Sequence, residues 1–174
     1  HGHDLGFEAP AFDDSGWATE TASFGYVLGG VQTMGPFSPP CVMNSTLIAT
    51  AWAVDTDLTL RKTITIPSGT TALYVEFGVD SEAFFYLDGV LINHETTTGC
   101  QTRGSNGFWV EPPPSGAVVL AIRVVDTPPA GLNETFFDVR VVAYHPDILG
   151  APWTPDEITT TRRGRAPGAV MATV

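Results

Sequence analysis

The stretch Thr71-Ala72-Leu73-Tyr74-Val75-Glu76-Phe77-Gly78-Val79 decides the fold class. Leu73, Val75, Phe77 and Val79 occupy one phase of a two-residue repeat, while Tyr74 and Glu76 occupy the other. Alternation at that period turns one side of a strand toward a core and the other toward water. Phe136–Ala143 repeats the pattern, with Phe137, Val139, Val141 and Ala143 set against Asp138 and Arg140. Leu58–Ile66 behaves similarly, and so does Val118–Val125, which is apolar in both phases like a central strand. Turn chemistry separates these runs at Pro67-Ser68-Gly69, Asp88-Gly89, Asn106-Gly107, Pro112-Pro113-Pro114-Ser115-Gly116 and Asp126-Thr127-Pro128-Pro129. Asp88-Gly89 predicts a two-residue hairpin, because both of its positions must accept positive φ. No window carries a helical stripe, and neither an internal repeat nor a nucleotide-binding glycine loop is present.

Three segments depart from the alternation: Gly25–Val54, Asn93–Phe108, and everything from about Pro146. Short antiparallel strands interrupted by long excursions predict an all-β fold. The expected architecture is one jelly-roll β-sandwich over residues 1–145, followed by an irregular C-terminal extension over residues 146–174. The chain starts at His1 without an initiator Met or signal peptide, which fits a processed product, an excised domain or a fragment.

Composition narrows the function classes. The 174 residues carry a net charge of −11, all of it on the body through His145. Binding nucleic acid by counterion release needs clustered cations, so that class is excluded, as is attraction to anionic membranes. No apolar run approaches the ~18–20 residues of a membrane span. A hydrophobic share of 43% with ten Phe and four Trp excludes a disordered chain. Cys41 and Cys100, both in loop-like sequence, suit an oxidising compartment and a disulfide tying two long loops together; two free thiols are the alternative. Asn44 and Asn133 open glycosylation sequons that would matter only in a eukaryotic secreted protein.

Three motifs, in order, carry a family resemblance. Phe12-Asp13-Asp14-Ser15-Gly16-Trp17, followed by Phe24-Gly25-Tyr26, is similar to the opening of galactose-binding-like jelly-roll modules. Leu60-Arg61-Lys62-Thr63-Ile64-Thr65-Ile66-Pro67 resembles their Arg-Lys-Thr strand. Val79-Asp80-Ser81-Glu82-Ala83-Phe84-Phe85-Tyr86-Leu87-Asp88-Gly89-Val90 resembles their hairpin, with Asp88 where the family usually has Asn. The resemblance runs from about Phe12 to Tyr144 and is interrupted by the long Gly25–Val54 insertion. Such modules stand at the front of family 2 glycoside hydrolases and serve as accessory domains of bacterial and phage surface proteins. The resemblance therefore implies an accessory role rather than catalysis. It also implies a structural calcium as the functional reading of Asp13 and Asp14, although two adjacent carboxylates fall short of the six to eight oxygens calcium takes. The plainer reading makes Asp13, Asp14 and Ser15 turn caps and Trp17 a core plug where the chain enters the sandwich.

Candidate ligand residues come from the long loops. Tyr26, Phe37, Trp52, His94, Arg103, Asn106 and Trp109 lie in or beside them, and aromatic faces with Asn, Arg and His suit sugars. Catalytic residues are expected to be absent, since no G-x-S-x-G, H-E-x-x-H or C-x-x-C pattern occurs. A copper site built on His1, with a third nitrogen from His3, His94 or His145, has suitable ligand chemistry, but its flanks do not resemble those of the histidine-brace oxygenases. The sequence thus reads as a non-enzymatic recognition or adhesion module for carbohydrate, exposed on a cell or virion surface. Its other expected partners are protein chains of a larger assembly, met through residues 146–174, which are expected to leave the sandwich and dock on another chain or along their own domain's surface. The alternative is a purely structural subunit of a virion, filament or oligomer. Ile148, Leu149, Trp153 and Ile158 would anchor the extension, with Arg162, Arg163 and Arg165 meeting acidic surface.

Overall fold

The computed structural model describes residues 4–20, 24–25, 50–53, 56–80, 82–96, 101–126, 135–145 and 170–173, with the backbone path alone for 101–105 and 170–173. Ten strands are described: β1 (Phe24–Gly25), β2 (Thr50–Ala51), β3 (Asp57–Ile66), β4 (Ala72–Val79), β5 (Glu82–Leu87), β6 (Val90–Thr96), β7 (Gln101–Val110), β8 (Gly116–Val125), β9 (Phe136–Tyr144) and β10 (Val170–Thr173). Among the described residues there is no helix, and so none long and apolar enough to cross a membrane.

The strands form two sheets. One runs β2-β1-β9-β4-β7, with β10 added to β9; the other runs β3-β8-β5-β6. From β3 to β9 the chain passes repeatedly from one sheet to the other, the winding expected of a jelly roll. Pairing is antiparallel except between β1 and β2.

The core is the sum of the inward phases. Leu73, Val75, Phe77 and Val79 of β4 are buried with Phe137, Val139, Val141 and Ala143 of β9, as the alternation predicts. They meet Ile64 and Ile66 of β3, Ala83, Phe85 and Leu87 of β5, and Val118, Leu120, Ile122 and Val124 of β8. The Asp88-Gly89 turn closes β5 onto β6 with φ of 47° and 83°, the left-handed pair that a tight hairpin requires.

Several expectations are corrected. Asn93–Phe108 is largely strand, since β6 continues to Thr96 and β7 runs from Gln101. Asn106-Gly107 is no turn but the middle of β7, paired with Phe77 and Glu76 of β4. Trp17 is half-buried against Phe12, at 5.5 Å between ring centroids, instead of plugging the core. The buried aromatic of the entering segment is Phe7, 1% exposed and packed edge-on against Tyr86 at 5.7 Å on the outer side of β5. The end of the extension lies along its own domain, one of the two expected placements, but as a regular strand: Val170–Thr173 pairs with Arg140–Ala143. Its lack of apolar alternation did not prevent this, because ladder hydrogen bonds use main-chain groups that every residue but proline supplies. Residues 146–169, including Ile148, Leu149, Trp153, Ile158 and the three arginines, lie outside the described residues.

Candidate functional site

Each sheet turns its second phase outward, and the two outer faces differ. On the six-stranded sheet, Tyr74 of β4 stands directly opposite Trp109 of β7, while Glu76 stands opposite Arg140 of β9. Tyr144 projects from the end of β9, opposite Ala72. The Tyr74 and Trp109 rings lie 4.8 Å apart with 44° between their planes, and the Trp109 and Tyr144 rings 5.0 Å apart with 54°. Trp109 and Tyr144 sit two strand spacings apart, roughly 9.5 Å, so their rings must lean together across β4. Ala72 is small enough to let them meet there.

Gly107 completes this arrangement. A Cβ at that position would collide with the Tyr74 ring, which lies over the bare backbone of β7. The cluster that results is one continuous block of three rings. Its central member, Trp109, remains 50% exposed on a sheet where its neighbours are mostly covered.

The polar half of the site is the Arg140–Glu76 ion pair, in which the guanidinium donates to the carboxylate. Glu76 is buried, so this charge depends on its partner. Burial holds the Tyr144 phenol above its ordinary pKa of 10.0, the nearby Arg140 charge works against the shift, and Tyr74 and Glu76 add to it. These four side chains therefore share one electrostatic neighbourhood.

The outer face of the four-stranded sheet carries a different cluster. Phe84 of β5 stacks on His94 of β6 at 4.2 Å and 8°, with the Arg123 guanidinium 5.6 Å from the Phe84 ring centre. His94 Nε2 lies 2.7 Å from Glu82, and Arg123 donates from Nε and from its terminal nitrogen to Asp57 at 3.0 and 2.7 Å. Each charged group here has a partner on the neighbouring strand.

The ligand residues expected from sequence are therefore not gathered in one place. Trp109 and His94 lie on opposite outer faces. Trp52 is 4% exposed, part of the core, and held by its indole N–H to Thr56 at 3.1 Å and by its carbonyl to the Thr135 hydroxyl at 2.8 Å. It has no free face for a sugar, because it is packed into the core cluster. Asn106 shares the inward phase of β7 with Phe108 and Val110, with its amide nitrogen buried. Tyr26, Phe37, Cys41, Asn44, Cys100 and Asn133, the His1 and His3 nitrogens, and the Arg103 side chain lie outside the described residues. Asp13 caps its turn, accepting from Ser15 N at 3.0 Å, whereas the Asp14 carboxylate accepts from Arg61 Nε at 2.9 Å in an ion pair rather than capping. Among the described residues, no three His, Cys, Asp or Glu side chains are grouped to hold a metal.

Sequence reading missed Tyr74, Tyr144, Glu76 and Arg140. Their signal was present as opposite charges and tyrosines in the outward phases of the two best-patterned strands. Gly107 was hidden by its Asn-Gly context, which mimics a turn.

No family model matches this chain, and no curated protein does. Among solved structures, the α-L-rhamnosidase of Streptomyces avermitilis complexed with L-rhamnose is similar at 14% identity and a TM-score of 0.43. The match covers 55% of this chain and 9% of that enzyme. At that identity and coverage the likeness assigns no activity here.

Proposed function

We propose that this protein is a non-enzymatic carbohydrate-binding module, working on a cell or particle surface, that holds glycan on the outer face of its six-stranded sheet. The observation that carries the reading is Trp109, half exposed at the centre of a three-ring block on rigid strands. Large aromatics are usually spent on packing, and their burial is strongly favourable. An indole left half in water beside an ordered ion pair offers the two features a sugar needs, an apolar face for its C–H groups and fixed polar atoms for its hydroxyls. Strand-borne sites also hold their geometry better than loops. Engagement of Glu76 by Arg140 supports binding over acid–base chemistry, since the carboxylate is already committed.

The test is a glycan array with the 174-residue chain, followed by titration of the best ligand against Trp109→Ala and Gly107→Ala. Trp109→Ala is expected to weaken binding at least tenfold, about 1.4 kcal/mol. Gly107→Ala is expected to weaken it by displacing the Tyr74 ring. Unchanged affinity in both variants, with the fold intact, would reject this face as the site.

A further inference from the structure

The outer face of the six-stranded sheet is ordered in rows, because register partners on neighbouring strands share a side. Tyr144 with Ala72 forms one row, Trp109 with Tyr74 and Val142 the next, and Gly107 with Glu76 and Arg140 the third. Gly78 with Asp138 follows. Each row lies roughly 7 Å from the last, two residues of strand rise. The aromatic block therefore stands at one end of the face. On its outer side β4 begins at Ala72 and β9 ends at Tyr144. On its inner side come the ion pair, then a glycine and the buried Asp138.

A flat polysaccharide surface is met by several exposed rings lying in one plane. Here the ring planes are inclined by 44° and 54°, so the block presents no common plane. Its members are also unequally available. Tyr144 is 6% exposed and Tyr74 is half-buried, whereas Trp109 is the one aromatic side chain in the exposed class among the described residues. Both tyrosines hold the indole in place, and one ring is left for one sugar. A sugar on Trp109 has the Glu76–Arg140 row a single step away for its hydroxyls. A further unit in that direction meets Gly78 and Asp138, which offer no ring.

Charge narrows the class again. Among the described outward residues of these rows, Glu76 and Asp138 face a single cation, Arg140, which Glu76 already engages. The chain as a whole carries −11. A uronate or sulfate brought to this face meets like charge, which suppresses such partners. We infer, resting on the carbohydrate reading above, that the site takes a single neutral sugar unit of a short or soluble glycan, and rejects acidic sugars and the flat face of an insoluble polysaccharide.

Chain-length titration of the 174-residue protein, by calorimetry, tests it. The probes are mono- to hexasaccharides of glucose, galactose, mannose, xylose and N-acetylglucosamine, oligogalacturonates of the same lengths, and suspensions of crystalline cellulose and chitin. In the neutral series that binds best, affinity is expected to rise by no more than about fivefold from disaccharide to hexasaccharide, the gain from added registers alone, whereas a second stacking ring would add about tenfold. Galacturonates are expected to bind more weakly than that series, and neither solid is expected to retain the protein. Trp109→Ala, run beside the parent chain, separates the two levels of the reading. Binding that Trp109→Ala weakens, but that climbs past fivefold with length, prefers galacturonate or holds the protein on a solid, overturns the inference and leaves the carbohydrate reading standing. No binding of any probe by the parent chain, or equal binding by Trp109→Ala, rejects that reading and this inference with it.

Discussion

The two outer faces are made of similar materials and treated in opposite ways. On the four-stranded sheet, the N-terminal segment crosses the tyrosine-bearing half of the face. Phe7 seals Tyr86, and the backbone of Glu8 and Ala9 passes close to Gly89. Arg61, whose side chain is 4% exposed, holds that segment down. Its guanidinium donates to the carbonyls of Phe7 and Ala9 and to Asp14, and lies 5.4 Å from the Phe12 ring centre. On the six-stranded sheet, no described residue comes down over Trp109 to the same effect, and half the indole faces outward. A covered ring contributes stability, while the half-exposed Trp109 keeps part of its contact energy available for a ligand.

Breaking the cover should have the largest effect. Phe7→Ala is expected to cost about 3–5 kcal/mol in urea unfolding, through lost transfer energy and the cavity left on Tyr86. Glycan affinity should stay unchanged; a matching loss of binding would show that the two faces are not separate. Next in size is Arg140→Ala, which strands the buried Glu76 charge and is expected to cost about 3 kcal/mol. The double variant Glu76→Leu/Arg140→Met should recover most of that stability and still bind poorly, which separates the pair's structural role from its ligand role. Trp109→Ala is expected to change stability by less than about 1 kcal/mol, because the ring is half in water already. A larger loss would mean that the ring block is core-like.

The smallest effect expected is on pH dependence. The Tyr144 and Tyr86 phenols are both held above the ordinary 10.0, chiefly by burial; for Tyr86, Glu8 of the covering segment adds to the shift and Arg123 opposes it. In the unfolded chain these groups ionise first, so the folded state binds more protons at high pH and stability falls as pH rises past about 10. Tyr144→Phe should flatten part of that alkaline slope, measured by urea midpoints from pH 8 to 11, and Tyr86→Phe another part. If neither variant alters the slope, burial is not what holds the phenols protonated.

Legibility in the sequence followed the physics of each signal. Alternation placed Leu73, Val75, Phe77, Val79 and their β9 counterparts on the core side, because burial sorts residues at a fixed period. Asp88-Gly89 was readable because few dipeptides accept two positive φ values. The site was less readable. Whether Trp109 and Tyr144 meet depends on strand order and on the small side chain of Ala72 between them, neither of which leaves a local trace. Trp52 looked like a loop aromatic because the residues closing over it, Gly25 and Thr135, are distant in sequence.

Sheet order also dictates when the molecule can fold during synthesis. β3 waits for β8, some fifty residues later, and the edge of β4 that β7 leaves open waits for β9. Among the longer described strands, the β5–β6 hairpin is the first to have its partner at hand. Pairings so remote in sequence close slowly, and the nascent chain meanwhile exposes apolar strand edges. Translation pace and chaperone access, more than final stability, should govern how much of this protein reaches its native state in a cell.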